Sequence, residues 1–403
     1  MNIRMEPCVL RGKIAAPPSK SCAHRALLCA ALSEGESTVR GVSESEDILA
    51  TLDCISALGR HWIRSGNEVR ISGKLSVELD DAVFPCRESG STLRFFLPIA
   101  LAMGGSTVFT GSERLLERGV GVYEALFAEK GISLLKTPNA VSVQGKLHPG
   151  EYAISGSISS QFISGLLFAL PLLKGSSTLN VLPPVESRPY IGLTLDALQS
   201  AGIHVQELSE NRFRIPGRQR YHAAETTVEG DWSNAAVLFA LRALGHDITV
   251  SGLNADSRQG DRVCTELLQR LDEAEPEIDL SDCPDLGPLL FAFAAARRGA
   301  VFTGTRRLRL KESDRASAMA EELRKFGIHT EIEENRVTVF PGSLHRPAMP
   351  LSGHNDHRIV MALTLLCTLT GGEIHGAEAI AKSWPDFFRE LESAGLTAKA
   401  ESR

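Results

Sequence analysis

Residues 92–105 read TLRFFLPIALAMGG, and residues 106–111 read STVFTG. Wound as a helix, the first stretch is apolar around its whole circumference and has to be buried on all sides. The second is a short β-type run. The same succession recurs as HRALLCAALSEG (24–35) before STVRG (37–41), QFISGLLFALPLLKG (161–175) before STLNV (177–181), and WSNAAVLFALRALG (232–245) before DITVSG (247–252). It returns twice more, as LGPLLFAFAAARRG (286–299) before AVFTG (300–304) and HRIVMALTLLCTLTGG (357–372) before EIHG (373–376). Six copies of one unit decide the fold.

After each strand comes a polar loop and then an amphipathic helix, such as GVYEALFAEKG (121–131), IGLTLDALQSAG (191–202) or ASAMAEELRKFG (316–327). The closing glycines suit a helix C-cap at positive φ. Gly59, Gly131, Gly202, Gly327 and Gly395 are separated by 72, 71, 125 and 68 residues. The 125 hides two units, so the fourth copy, around LLQRLDEAEPEIDL (267–280), is short by about 15 residues and is expected to lack a strand pair. The unit is β-α-β-β plus a buried helix, and three units of about 70 residues make a domain of ordinary size. A solenoid would strand helices this apolar on an outer wall. Two domains, each gathering three helices around an axis, are therefore expected.

The chain has 403 residues, 43% apolar and 23% charged, enough for two substantial cores. A net charge of -6 offers no long-range attraction for nucleic acid or an anionic membrane, so affinity for anions has to come from local clusters of Lys and Arg. MNIRMEPCVL at the start has no signal pattern, and Phe162–Leu173 is too short to span a bilayer; a cytoplasmic protein is expected. Cys8, Cys22, Cys29, Cys54, Cys86, Cys264, Cys283 and Cys367 form no C-x-x-C pair and read as reduced thiols rather than metal ligands.

Two positions of the unit are polar in copy after copy. The entrances to the buried helices carry Lys20-Ser21 with Arg25, Ser89-Gly90-Ser91-Thr92 with Arg94, Ser159-Ser160-Gln161, Asp231 with Ser233, Asp285, and Asp356-His357-Arg358. Capping explains Ser, Thr and Asp there, but a cation at a helix N-terminus is unfavourable and calls for an anion to offset it. The loops after the strands carry Arg114 and Arg118, Arg188 and Tyr190, Arg258 and Arg262, Arg307, Arg309, Lys311 and Arg315, and Lys382. If corresponding points of the repeat converge, free helix N-termini and guanidinium forks gather into a site for phosphate and carboxylate. On this reading the cations of APPSKSCAHRAL (16–27) are unsatisfied until a ligand arrives. No nucleotide phosphate loop is present, so the substrates bring their own phosphates. Asp285 and Glu312 are the acid/base candidates: a desolvated Asp285 could act as a base, and Glu312 stands between Lys311 and Arg315. The residues alone lead to a metal-free enzyme acting on a multiply anionic substrate pair between two domains.

With PPSKSCAHRALLCAAL, ESGSTLRFF, SSQF, SRPYIGLTLDAL, EGDWSNAA, QGD, CPDLGP, LRLKESDRASAMAEELRKFG, NDHRIVMAL and AKSWPDFF in this order, the chain resembles the 5-enolpyruvylshikimate-3-phosphate synthase family over essentially its full length. The resemblance implies an α/β fold with an inside-out α/β barrel in each of two domains, the enolpyruvyl transferase fold, built from six β-α-β-α-β-β repeats, three per domain. Domain 1 would comprise 1–16 and 230–403 and domain 2 17–229, with crossovers near 14–18 and 227–231. It implies transfer of the enolpyruvyl group of phosphoenolpyruvate to the 5-hydroxyl of shikimate 3-phosphate, without cofactor or metal, by a monomer that binds neither nucleic acid nor membrane. Closure of the two domains around the substrates would exclude water. By position within the motifs, Asp285, Glu312 and Lys20 would be catalytic. Ser21, Arg25, Ser159, Ser160, Gln161, Ser187, Tyr190, Asp285 and Lys311 would hold shikimate 3-phosphate. Lys20, Gly90, Arg114, Gln161, Arg315, Arg358 and Lys382 would hold phosphoenolpyruvate.

Arg307 and Glu88 depart from the family's usual Asn, and Gly90 keeps the room that the family's inhibitor glyphosate uses. The sister UDP-N-acetylglucosamine enolpyruvyltransferases share the six-unit plan but carry a Cys in a mobile loop of the second repeat, where this chain has GSERLLERGVG (111–121). A non-catalytic anion sensor or RNA-end-binding relative is disfavoured by the net acidity and by Lys20, Asp285 and Glu312 occurring together.

Overall fold

The computed structural model describes residues 1–75, 79–273 and 276–401, so Ala274 and Glu275 of the short fourth copy lie outside the described residues. The chain divides into two compact units, Met1–Ser19 with Gly230–Arg403, and Lys20–Glu229. The core of Lys20–Glu229 runs from Ala23 to Val228. The other takes Ile3, Met5, Leu10 and Ile14 from the N-terminal segment and continues from Trp232 to Leu396.

One plan recurs in both units. Ala82–Pro85 leads into the buried helix Gly90–Met103, and Gly105–Thr110 returns parallel to it with Val83 opposite Val108. The outer helix Gly121–Glu129 follows, then the hairpin strands Ser133–Thr137 and Ala140–Gly145, the latter antiparallel to Gly105–Thr110. A helical crossover between parallel strands followed by a tight antiparallel hairpin is what an apolar run, an amphipathic run and two short β runs produce in this order. Glu151–Ile215 repeats it around Ser160–Ala169, and Glu277–Val339 around Gly287–Ala295.

Two copies are closed by strands from the far end of their unit. Lys20–Leu32 is buried beneath a sheet whose first strand is Glu225–Thr227, parallel to Ser37–Arg40. The sheet around His357–Thr370 is completed by Asn2–Met5, which lies between Gly372–His375 and Ala398–Glu401. In the fourth copy Arg11–Ala15 pairs parallel with Asp247–Ser251 around Trp232–Ala243, and these two strands form the whole sheet among the described residues. Its outer helix Cys264–Asp272 runs on to Glu277–Asp279, the first strand of the next copy, so the missing length is the hairpin.

Gly59, Gly131, Gly202, Gly327 and Gly395, which set the sequence period, all have positive φ. Every residue of Gly287–Ala295 is buried, as its apolar circumference requires. Helices pack inside, Gly90–Met103 on Ser160–Ala169 and Gly287–Ala295 on His357–Thr370, while the sheets face outward with Ile63, Val83 and Leu135 exposed. This is the inside-out α/β arrangement. At the chain crossings Pro18 bridges Gly230, and the Asp231 N–H donates to the Pro17 carbonyl at 2.8 Å.

Candidate active site

In Lys20–Glu229 the polar helix entrances are built as caps. The Ser89 hydroxyl accepts from the Thr92 N–H at 3.3 Å, and Ser159 accepts from Gln161 at the same distance. Ser160 is buried in the first turn behind it. Gly90 opens its helix where a Cβ would lie 3.1 Å from Arg94 Nη1 and 3.3 Å from both Arg118 Nη2 and Gln161 Oε1. Three side chains from three segments therefore meet over one backbone position. Gln161 ties them together, its Oε1 accepting from Arg94 Nη1 at 2.5 Å and its Nε2 donating to Ser91 Oγ at 2.9 Å. Arg114 lies one turn before Arg118 and pairs with Glu117 at 3.4 Å, its side chain 40% exposed.

Lys20 and Arg25 do not wait for a ligand to be paired, contrary to the expectation from sequence. Lys20 Nζ is 2.7 Å from Asp47 Oδ2, with both side chains largely covered. Arg25 is buried and donates to Thr194 Oγ1 at 2.9 Å, the Ser21 carbonyl at 2.7 Å and the Tyr190 carbonyl at 3.0 Å, with its guanidinium over the Phe95 ring. Burial lowers its pKa only to about 10, so it stays charged. These contacts use three of its five N–H donors. Ser21 thus faces Arg25 through its carbonyl, and Tyr190 does so from the first turn of Arg188–Ser200. Ser187, just before that turn, is buried at φ 57°.

In the other unit an ion-pair network centres on Arg315, the first residue of Arg315–Lys325. Its side chain is 1% exposed and meets three carboxylates: Asp285 Oδ1 at 2.7 Å, Glu312 Oε2 at 2.9 Å and Asp356 Oδ2 at 2.9 Å. Lys311 Nζ also donates to Asp285 Oδ1, at 2.9 Å. Asp285, Glu312, Lys311 and Arg315 are therefore brought together. Arg358 donates to Asn234 Oδ1 at 2.8 Å, and Lys382 Nζ to the Asn355 carbonyl at 2.6 Å. Arg307 is buried in the turn of 3₁₀ helix before Lys311.

Desolvation does not make Asp285 a ready base. Burial pushes its carboxyl up, but Lys311, Arg315 and Arg358 outweigh it and hold Asp285 well below the ordinary range. Burial pushes Lys311 down; Asp285 opposes this, and Arg315 and Arg307 add to it. Asp285 is thus an ionised acceptor between cations.

Arg94, Arg118 and Asp356 stand in sequence at positions expected to converge but without an assigned ligand, and Asp47 and Asn234 are not among the sequence candidates. Arg94, Arg118 and Asp356 were visible as polar residues at repeat entrances and loops, but spacing alone cannot rank Arg118 above Arg114. Asp47 carried no signal.

The structure resembles that of the EPSP synthase from Acinetobacter baumannii, with a TM-score of 0.81 over 100% of both chains at 24% identity. It also resembles that of the enolpyruvyl transferase NikO from Streptomyces tendae, with a TM-score of 0.76 over 99% of this chain and 98% of that one at 16% identity. The fold is therefore that of the enolpyruvyl transferases. Residues 6–391 match the model of the family described as EPSP synthase (3-phosphoshikimate 1-carboxyvinyltransferase). Proteins named 3-phosphoshikimate 1-carboxyvinyltransferase are 37% identical in Clostridium kluyveri, over 98% of this chain and 97% of that one, and in Clostridium perfringens, over 99% and 100%. The chain belongs to the EPSP synthase family.

Proposed function

We propose that this chain transfers the enolpyruvyl group of phosphoenolpyruvate to the 5-hydroxyl of shikimate 3-phosphate and releases phosphate, as a cytoplasmic monomer. Family membership supports the reaction. The observation that carries the assignment of residues is the Arg315 network, in which two cations and three carboxylates occupy one buried cluster. No helix among the described residues is long and apolar enough to cross a membrane.

Shikimate 3-phosphate is assigned to Ser21, Arg25, Ser159, Ser160, Gln161, Ser187 and Tyr190, with Asp285 and Lys311 at the reacting hydroxyl. Phosphoenolpyruvate is assigned to Lys20, Gly90, Gln161, Arg315, Arg358 and Lys382, and Arg118 replaces Arg114 because it is Arg118 that lies beside Gly90 and Gln161. The enol ether has to gain a proton at its methylene carbon while the hydroxyl adds to C2. Glu312 supplies that proton, and cations stabilise the charge that develops. Phosphoenolpyruvate anions that recruit Arg315, with Lys311 turned to the reacting hydroxyl, would at the same time release Asp285 to accept the hydroxyl proton. Loss of phosphate and of a methyl proton then restores the double bond.

Phosphate release from phosphoenolpyruvate is the test. It should require shikimate 3-phosphate, and release with UDP-N-acetylglucosamine in its place would overturn the assignment. Glu312→Ala should leave a folded protein with most turnover lost.

A further inference from the structure

Outside the groups assigned above, one buried carboxylate is tied to the turn that carries several of them. Glu322, on the helix Arg315–Lys325, has a fully buried side chain. Lys325 Nζ donates to its two oxygens at 2.9 and 3.0 Å, His354 Nε2 lies 2.9 Å from Oε1, and the Ser352 N–H donates to Oε2 at 3.0 Å. Burial pushes the Glu322 carboxyl up, but the bonds from His354, Lys325 and Ser352 outweigh it and hold it below the ordinary range. Glu321, Glu322 and His354 stand close enough to share a cation. The Lys325 ammonium already sits on both Glu322 oxygens, so the cluster grips protein rather than metal.

What it grips is a constrained turn. Lys325 Nζ also donates to the Pro350 carbonyl at 3.2 Å, the Gly353 N–H to the His375 carbonyl at 2.7 Å and the His354 N–H to Ser352 Oγ at 3.1 Å. A Cβ on Gly353 would lie 2.8 Å from the Gly376 carbonyl oxygen, so the turn is pressed against its neighbour. His354 and Asn355 then both lie in the left-handed region, at φ 47° and 51°; Asn and His enter it more readily than most residues, but two in succession still cost energy that the bonds around them offset. The Asn355 carbonyl accepts from Lys382 Nζ at 2.6 Å. The Asp356 carboxylate accepts from Arg315 Nε and from the Arg358 N–H, each at 2.9 Å. Arg315, Arg358 and Lys382 are all attached to the two residues that follow His354.

We propose that the Glu322–His354 bond is a positioning device that enforces the left-handed turn, so that Asn355 and Asp356 hold Lys382, Arg315 and Arg358 in the geometry that takes phosphoenolpyruvate. Glu322 and His354 act through Asn355 and Asp356 and are positioning residues. The inference rests on the assignment of those three cations to phosphoenolpyruvate.

Steady-state kinetics of the full chain with both substrates test it. His354→Leu removes the bond, while His354→Gln keeps an N–H that can reach Glu322. His354→Leu should raise KM for phosphoenolpyruvate by about tenfold, because a small misplacement of binding groups is costly, and leave KM for shikimate 3-phosphate within about twofold. His354→Gln should recover most of the loss. An unchanged phosphoenolpyruvate KM, an equal rise in both KM values, or a Gln variant no better than Leu would each overturn the proposal. Should His354→Leu not fold, His354→Asn, too short to reach Glu322, is read by the same criteria. Lys382→Met separates the two levels: if it leaves phosphoenolpyruvate KM unchanged, the assignment of the cations fails. If Lys382→Met raises that KM and His354→Leu does not, the positioning role alone fails.

Discussion

Asp261 shows what one buried residue contributes. Its carboxylate accepts from the Ser233 hydroxyl, and burial first, then the charge of Asp285, push its pKa up to about 7 from an ordinary 3.8. Between about pH 4 and pH 7 the folded protein holds a proton here that the unfolded chain has released, so stability falls as pH rises through that window. Asp261→Asn keeps an acceptor for Ser233. It should flatten that limb of the pH–stability profile and be more stable than the parent above about pH 7, which urea denaturation across the range would measure. The two arginines of the 113–118 turn allow a second prediction at this scale. Arg118→Leu should raise KM for phosphoenolpyruvate by about tenfold or more, whereas Arg114→Leu, whose pair with Glu117 is exposed, should change it by less than about threefold. QGD marks Asp261 only as part of a motif, and GSERLLERGVG sets both arginines in one segment; neither carries the environment that separates their roles.

At the scale of elements, the helix Gly90–Met103 depends on a neighbour. Pro98 has no N–H, so the Arg94 carbonyl four residues earlier cannot receive the regular helical bond from that position. The Tyr123 hydroxyl fills that gap, 2.9 Å from the Arg94 carbonyl and 2.8 Å from the Phe162 carbonyl of the facing helix. The facing helix approaches closely at Gly165, where a Cβ would press on the Arg94 carbonyl oxygen and the Tyr123 hydroxyl, with Pro98 Cγ at 3.0 Å. Gly165→Ala should therefore destabilise the protein by about 1–3 kcal/mol or more, read by chemical denaturation. It should also weaken phosphoenolpyruvate binding, because Gly90 and Arg94 ride on the displaced helix. The apolar run around Pro98 announced a buried helix. That a tyrosine on another helix would complete its bonding was not legible, since the donor lies 29 residues away and meets it only through packing.

At the scale of the whole molecule, each unit has its own core, and the core of Lys20–Glu229 is drawn from one unbroken stretch of chain. Lys20–Glu229 made alone should fold with a single cooperative transition by circular dichroism, as a domain of this size with a complete core does. It should have no transferase activity, because Asp285, Lys311, Glu312 and Arg315 belong to the other unit. A fragment that melts gradually, or is already unfolded and shows no transition, would show that its stability is borrowed. The other unit cannot be excised in this way, since Asn2–Met5 and Arg11–Ala15 supply strands to sheets otherwise built after Gly230.

The sequence by itself determined the sixfold plan, the shortened fourth copy and the positions where function concentrates. Apolar periodicity, glycine stops and capping residues act over a few neighbouring residues and are written directly in their order. Only the tertiary structure decided how the charges are partnered. Lys20 meets Asp47 across 27 residues and Arg315 meets Asp356 across 41, and burial sets the strength of both pairs. Such distances and dielectric surroundings arise when whole elements pack, and no local pattern encodes them.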